Sequence, residues 1–180
     1  GFVLIALVLV VVISTITLVL KVSEQFLSQA YYAKSLALEN SSNLADLDKN
    51  LQSSEYLFAQ DIFTAERARL RLAELNRLVA IAEPTDIDRQ IFQSNLIEGI
   101  ALSEKAITLD PTNPFNHALL ASFYGLLNIE QSPEVKSRRD NELAQVKILD
   151  PKNPSYLVLF AQLSVNQGDL VTARSHLNEA

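Results

Sequence analysis

A six-residue segment occurs twice in this 180-residue chain and limits its possible folds more than any other feature. It reads Leu-Asp-Pro-Thr-Asn-Pro at 109–114 and Leu-Asp-Pro-Lys-Asn-Pro at 149–154. The residue before a proline is disfavoured in the α-helical region, so a helix should end near each Asp. An Asn followed by a Pro suits the N-cap and first position of the next helix. Each copy therefore predicts a helix, a tight turn and a second helix, with a period of 40 residues.

The N-terminal residues form an apolar run that contains no charged side chain. Residues 1–20 read GFVLIALVLVVVISTITLVL, and about 20 such residues cross a bilayer core of about 30 Å. The hydroxyls of Ser14, Thr15 and Thr17 can bond to carbonyls of the preceding turn. We predict a transmembrane helix over 1–21, with 2–20 in the membrane. A secretory signal peptide fits poorly, because no basic segment precedes the run and signal cores have about 7–15 residues. A buried core helix would rarely be so uniformly apolar.

The soluble part is predicted to begin with a helical hairpin over 22–60. No Gly or Pro occurs between Phe2 and Asn40, so the membrane helix should continue without a break into the first soluble helix. An Asn-Ser-Ser-Asn segment at 40–43 should end that helix. Helical spacing predicts a buried stripe in the first helix formed by Phe26, Ala30, Ala33 and Ala37. The second helix is marked by Leu44, Leu47, Leu51 and Phe58.

Residues 61–180 are predicted to form further helices, each with its own boundary signals. A third helix should run from about Asp61 to Ala82 and stop before Pro84. Thr85 and Asp88 resemble a capping box that starts a fourth helix ending at Leu109. The later boundaries are Pro114, a loop at 125–132, Ser132-Pro133 and the turn 167–169. All six prolines lie at predicted boundaries and no segment alternates like a strand, so the predicted fold class is all-α.

Gly99 lies inside the fourth predicted helix, where glycine costs about 1 kcal/mol relative to alanine. We expect a neighbouring helix to pass close to it.

The last predicted hairpin resembles the tetratricopeptide repeat. Phe160-Ala161 stands at the large–small pair of that repeat, and Ala173 and Ala180 stand at its small positions. The preceding unit departs from the pattern, since Arg139 and Val146 replace small residues and the unit exceeds the usual length of about 34 residues. The positions assigned to the repeat are Leu72, Ala73, Gly99, Ala106, Leu120, Ala121, Tyr124, Phe160, Ala161, Gly168, Ala173, Leu177 and Ala180.

The resemblance implies a right-handed solenoid of helical hairpins, with a degenerate first unit at 22–60 and repeats over 61–180, the last one truncated. An ordinary helical bundle is the alternative. The resemblance also implies a protein-binding groove along the first helices of the hairpins. The matched positions are Arg67, Leu70, Glu74, Arg77, Ser122, Val158, Gln162 and Asn166. They could instead be merely exposed. The carboxylate clamp of chaperone-binding members is not evident, because Leu70, Ala118 and Val158 are apolar.

An apolar helix leading directly into such repeats is also similar to the C-terminal part of bacterial O-antigen ligase and polymerase proteins. Two functions follow: a membrane-anchored scaffold that binds protein partners, or an accessory extracytoplasmic domain of an enzyme of cell-envelope polysaccharide assembly. The sequence before Gly1 would distinguish them. The flank from Lys21 to Glu39 has two basic and two acidic residues, so no basic cluster marks it as cytoplasmic. We expect 21–180 to be extracytoplasmic.

No chemistry of its own is expected in this chain, although the parent protein could be an enzyme. There is no cysteine, and neither of the two histidines has a second metal ligand at helical spacing. The segment 46–50 resembles the start of a calcium loop, but Leu51 and Leu57 replace its Gly and Glu. A net charge of −6 argues against nucleic acid. We expect no metal, no cofactor and no catalytic residue. Asn40-Ser41-Ser42 matches a glycosylation acceptor, a motif common by chance.

Both ends are expected to be cut from a longer protein, since residue 1 is Gly, the chain has no Met, and Ala180 falls inside a helical pattern. The last repeat of an array also needs a polar cap, and none is evident before Ala180. The far end should expose apolar residues among Tyr156, Leu163 and Leu170, and a following helix should cover them.

Overall fold

The computed structural model describes residues 2–38, 44–127, 132–166 and 168–180. These residues form eight helices and no strand, which confirms the all-α prediction for this part of the chain. The helices are α1 (Phe2–Leu38), α2 (Leu44–Leu57), α3 (Asp61–Val79), α4 (Asp86–Leu109), α5 (Pro114–Gly125), α6 (Pro133–Leu149), α7 (Pro154–Asn166) and α8 (Leu170–Glu179). The predicted break and glycosylation acceptor at 40–43, positions 128–131 of the predicted loop, and Gln167 lie outside the described residues.

The chain divides into two compact units, Gly1–Ala59 and Gln60–Ala180. In the first unit, α1 is one helix through position 21, as the absence of Gly and Pro predicted. It is long and apolar enough to cross a membrane, and its side chains from Leu7 to Leu20 are exposed. The Thr15 and Thr17 hydroxyls donate to the carbonyl oxygens of Val11 and Ile13 at 2.8 and 2.9 Å. These bonds satisfy both hydroxyls within the helix.

The stripe predicted on α1 does not pack against α2. Phe26 is 75% exposed, and Ala30, Ala33 and Ala37 are exposed too. Among the side chains that the structure describes in α1, from Leu7 to Ala37, Ser28 and Ser35 are buried, and they lie on one face because they are seven residues apart. The Ser28 hydroxyl donates to the carbonyl oxygen of Ser54 in α2 at 2.8 Å. Small serine side chains whose hydroxyls bond to a backbone carbonyl let two helices approach closely. The periodicity of apolar residues does not predict this kind of contact.

The second unit consists of three hairpins, α3–α4, α5–α6 and α7–α8, with α5 also contacting α3, α4 and α7. One core joins α3, α4 and α5 through Ala65, Ala68, Leu75, Leu96, Leu102, Ala106, Leu119 and Phe123. Another joins α5, α6 and α7 through Ala118, Val146, Leu157 and Phe160. The first helix of the middle hairpin is therefore shared by both cores.

The repeated six-residue segment adopts the predicted arrangement in both copies. Helices α4 and α6 end at its Leu, and α5 and α7 begin at its second Pro. The amides of Asp110 and Asp150 donate to the carbonyls of Ala106 and Val146, both at 2.9 Å. Both Asn side chains accept from the amide two residues on, Asn113 from Phe115 at 3.1 Å and Asn153 from Ser155 at 3.0 Å. The sequence repeat is thus a repeat of capping and turn geometry.

The other predicted boundaries hold within a few residues. Thr85 and Asp88 form a reciprocal capping box at the start of α4. Helix α3 ends at Val79, earlier than Ala82, because the chain tightens after it and the amide of Ile81 donates to the carbonyl of Leu78 at 3.1 Å. Pro84 lies beyond that tightened turn.

The close approach expected at Gly99 is confirmed. Gly99 is buried, and a Cβ built there would overlap the ring of Phe123 from α5, which is itself fully buried. The neighbour is an aromatic side chain of the next hairpin, so the missing Cβ makes room for a ring.

At the far end, α8 buries Ala173 but exposes Leu170, Val171 and Leu177 by 67%, 83% and 56%. Of the residues expected to be exposed there, Leu170 is exposed, Tyr156 is partly buried, and Leu163 is buried.

Gly99→Ala should lower the free energy of unfolding by about 1–3 kcal/mol, because overpacking outweighs the gain in helix propensity. Chemical denaturation of the full chain in nonionic detergent measures this loss. The loss should shrink when Phe123→Leu makes room for the methyl group, so the two substitutions should be non-additive. Additive losses would show that Gly99 and Phe123 do not constrain each other.

Candidate interaction surface

The first residue of α3 is fixed to the first copy of the repeated turn. The Asp61 carboxylate oxygen Oδ2 accepts from the side-chain amides of Asn113 at 2.8 Å and Asn116 at 3.1 Å. The Asn116 amide also lies 3.1 Å from the carbonyl oxygens of Ala106 and Asp110. All three of its partners can only accept, so the NH₂ group of this buried side chain must face them. This network positions α3 beside α5.

A cleft of about 500 Å³ opens beside this network. Its wall combines carboxylates with apolar groups from α3, the turn and α5. The lining residues are Asp61, Ile62, Ala65, Glu66, Asp110, Asn113 and Phe115. A cleft with this lining can surround an apolar group and place a cation against carboxylate oxygens.

The carboxylates in the cleft have local partners. Hydrogen bonds from the Thr112 hydroxyl and then the Thr112 amide hold the pKa of Asp110 below its usual range. The distances to Asp110 Oδ1 are 2.7 Å from the hydroxyl and 2.9 Å from the amide. Glu66 accepts from the guanidinium Nε of Arg69 at 2.7 Å. Asp110 is therefore ionised at neutral pH and contributes negative charge to the cleft lining.

The predicted groove residues on α3 lie in different surroundings. The Arg67 side chain is only 11% exposed and its guanidinium lies 3.4 Å from Glu98 of α4, so it faces the hairpin partner and not an open groove. Arg71, which the sequence did not single out, holds the same carboxylate at 2.8 and 3.1 Å. Leu70 is partly buried. Glu74 and Arg77 pair with each other at the surface, and the hydrogen bonds from Arg77 lower the pKa of Glu74.

The predicted groove residues on α7 are exposed, whereas the one on α5 is partly buried. Val158 is 51% exposed, and Gln162 and Asn166 are exposed beside it, with the Gln162 amide donating to Asn166 Oδ1 at 3.2 Å. Ser122 is partly buried and its hydroxyl donates to the carbonyl of Ala118 at 2.8 Å. The open residues therefore come mainly from α7.

The residues assigned to the repeat differ in burial. Most of them are buried: Gly99, Ala106, Leu120, Ala121, Tyr124, Phe160, Ala161 and Ala173. Leu72 is partly buried, while Ala73, Gly168, Leu177 and Ala180 are exposed. Gly168 has φ of 75°, which suits the turn before α8. On α3 the small side chains that pack are Ala65 and Ala68, not Ala73, because α3 turns that face toward α4 and α5.

Sequence reasoning missed the cleft. The sequence feature that points most directly to the cleft is the repeated Asp and Asn of the turn. No pattern of neighbouring residues, however, shows that Asn113 contacts Asp61, 52 positions earlier. Among the described residues, no group of three or more His, Cys, Asp or Glu is placed to hold a metal ion.

No protein-family model matches the chain, and no curated protein matches it either.

The tie between α3 and the first turn can be tested against the second turn. Asp61→Ala and Asn113→Ala should be non-additive by about 0.5–3 kcal/mol, since each removes a partner of the same hydrogen bond. Asn153→Ala is the matched control. It removes the equivalent cap, about 1 kcal/mol, but has no contact with Asp61, so its loss should add to that of Asp61→Ala. Denaturant unfolding of the full chain measures the three single and two double variants, and equal coupling for both Asn residues would contradict the tie.

Proposed function

We propose that this chain is a membrane-anchored, tetratricopeptide-like interaction module that performs no chemistry itself and binds protein partners along the first helices of its hairpins. The cleft between α3 and the start of α5 carries the proposal. The arrangement of α3, α5 and α7 supports it, because α5 contacts both other first helices, as successive first helices do in a hairpin solenoid.

The anchor in this proposal is α1. Its apolar, charge-free first part supports membrane insertion, and its continuity to Leu38 supports a rigid connection to the soluble part. We propose that residues 21–180 are extracytoplasmic, because the flank from Lys21 to Glu39 carries as many acidic as basic residues. The same module would serve as an accessory domain if the chain belongs to an enzyme of cell-envelope polysaccharide assembly.

The partner that fits the cleft is an extended segment with a Lys or Arg next to an apolar residue. Asp61, Glu66 and Asp110 supply acceptors for a cation, and Ile62 and Phe115 supply apolar contact. The attraction between a cation and carboxylates is stronger in a partly enclosed cleft than on an open surface, because solvent screens the charges less there.

Binding of two short synthetic peptides to the full chain in nonionic detergent tests the function. One carries Leu-Lys-Leu at its centre and the other Leu-Glu-Leu. The basic peptide should bind at least about tenfold tighter, which corresponds to about 1.4 kcal/mol, and its affinity should fall as salt is added.

The combined variant Ile62→Ala and Glu66→Gln should weaken this preference, because it removes one of the three carboxylates and part of the apolar wall. Neither residue belongs to the network that holds the turn, so the cleft should keep its position. Asp86→Asn with Arg89→Gln is the matched control, because that exposed pair at the start of α4 lies outside both the cleft and the predicted groove, and it should leave binding unchanged. Equal binding of both peptides, or full binding by the cleft variant, would count against the proposed surface.

Membrane anchoring has its own test. The full chain expressed in bacteria should stay in the membrane pellet after carbonate extraction. Val10→Arg with Ile13→Arg should release it, because each Arg at the centre of a span costs about 2.5–3.5 kcal/mol. Release of the unaltered chain into the soluble fraction would reject the anchor.

A further inference from the structure

Beyond the membrane segment, α1 turns a polar side toward its hairpin partner. Ser28 is buried, and its hydroxyl donates to the carbonyl oxygen of Ser54 in α2 at 2.8 Å. Ser35, seven residues later, is buried on the same side. Ser28 lies two residues from both Phe26 and Ala30, and a helix turns by about 100° per residue. Phe26 and Ala30 therefore lie on the side of α1 that faces away from α2.

The side that faces away from α2 carries a continuous apolar stripe. Its central residues recur at alternating spacings of three and four, which is the a and d pattern of a coiled coil. These five residues, which we call the seam, are Ser23, Phe26, Ala30, Ala33 and Ala37, and all of them are exposed. The positions that flank the seam are Val22, Leu27, Gln29, Lys34 and Leu36. The three apolar residues among these flanks are 57%, 49% and 48% exposed.

The two sides of this part of α1 differ sharply in composition. Within 22–37, the positions outside the seam and its flanks are Glu24, Gln25, Ser28, Tyr31, Tyr32 and Ser35. None of these side chains is aliphatic. A single exposed apolar residue is ordinary on a protein surface, but the apolar face of an amphipathic helix packs against another element. Helix α2 does not supply that element, because it packs on the other side.

We propose that the seam is covered by the seam of a second copy of this chain, so that α1 forms a parallel two-stranded coiled coil where it leaves the membrane. The dimer rests on the membrane anchor proposed above, because insertion gives every copy the same direction and the same depth. Identical residues of two copies then lie opposite each other. A two-fold symmetric contact needs only one self-complementary face, and the seam supplies that face.

The side chains of the seam suit a close contact between two identical helices. Three of the five are alanine, and small residues let helix backbones approach closely. Phe26 of one copy meets Phe26 of the other and adds aromatic contact area. The Ser23 hydroxyl donates to the carbonyl oxygen of Val19 at 2.8 Å within its own helix, so the contact buries no unsatisfied hydroxyl.

The flanking residues place no like charges opposite each other. In a parallel coiled coil, a g residue of one helix lies near the following e residue of the other. By this pairing Val22 lies near Leu27, and Gln29 lies near Lys34. The first pair is apolar, and the second contains only one charged residue. The flanks therefore allow two copies to associate without electrostatic repulsion.

The spacing of the seam also continues into the membrane segment. It is met there by Leu9, Val12, Ile16 and Val19. Nearly every residue of that segment is apolar, so the spacing selects no face within the membrane, but no charged residue interrupts it. Because α1 is one helix from the membrane segment through the seam, an alignment set outside the membrane extends into it.

Disulfide crosslinking in the membrane tests the dimer, because the chain has no cysteine of its own. The variants Ala30→Cys and Ala33→Cys each place one thiol in the seam, and Gln25→Cys places one at an exposed residue outside it. Membranes from bacteria that express the full chain are treated with a mild oxidant. The seam variants should form a covalent dimer at least about tenfold faster than Gln25→Cys, because a disulfide needs Cα atoms about 4.4–6.8 Å apart.

A charged substitution in the seam should prevent the contact. Ala33→Glu combined with Ala30→Cys places two carboxylates opposite each other, and juxtaposed like charges should slow crosslinking at least about tenfold. Gln25→Glu with Ala30→Cys is the matched control and should crosslink as fast as Ala30→Cys alone. Ala33 is exposed and Glu is a good helix former, so the single chain should keep its fold.

Two results would overturn the dimer. Crosslinking of Gln25→Cys as fast as that of the seam variants would show that the products come from chance collisions. Absence of a product at twice the mass of the chain, whether or not another protein is crosslinked, would show that a second copy does not cover the seam.

The same membranes separate failure of the dimer from failure of the proposed function. A chain that stays in the carbonate pellet without forming a dimer keeps its anchor and loses only the coiled coil. Release by carbonate would reject the anchor and the dimer together. Peptide binding is measured in detergent on the unaltered chain, so its outcome does not affect the crosslinking result.

Discussion

The second unit depends on a steric constraint at two prolines. Because the residue before each proline cannot remain helical, α4 and α6 must end at Leu109 and Leu149. The Asn two residues after each proline then caps the next helix through its side-chain oxygen. The residues four positions before each Asp, Ala106 and Val146, are fully buried and bond to the Asp amide. The end of one helix is thus fixed to the core at the point where the chain reverses.

The same turn carries different side-chain chemistry in its two copies. In the first, Asn113 and Asn116 reach Asp61 of α3, and His117 reaches Glu142 of α6. In the second, the equivalents of Asn116 and His117 are Tyr156 and Leu157, which pack with Val146 and Phe160. Buried polar pairs gain little net stability over apolar packing but are costly to break. The first copy therefore fixes one particular arrangement of neighbours, whereas the second relies on apolar contact.

This difference explains which features the sequence could reveal. Helix boundaries depend on residues close together in the chain, so the prolines, the Thr85–Asp88 capping box and the Asn caps predicted them well. The sequence could also predict that some group packs closely against Gly99, because glycine is unfavourable inside a helix. It could not predict that this group is the ring of Phe123. The other features depend on which face of a helix contacts a helix distant in sequence. They are the stripe on α1, the small residues of α3, the position of Arg67 and the cleft. Some polar side chains are buried because a serine hydroxyl bonds to a backbone carbonyl or an arginine pairs with a carboxylate across a hairpin. A pattern of apolar residues cannot predict such burial.

The middle hairpin is the point where these properties combine. Its first helix, α5, contributes to both cores, bounds the cleft through Phe115 and carries His117 on its first turns. Its second helix, α6, has only Arg139 and Val146 buried, and the His117–Glu142 pair is one of its contacts with α5. A helix held by few buried side chains opens at lower free energy than the core around it. Removing the His117–Glu142 contact should therefore loosen α6 before it affects α3, α4 or α7. Because the other nitrogen of the same ring contacts the Pro111 carbonyl, and Asp110 beside Pro111 lines the cleft, His117 links α6 to the turn that forms the cleft wall.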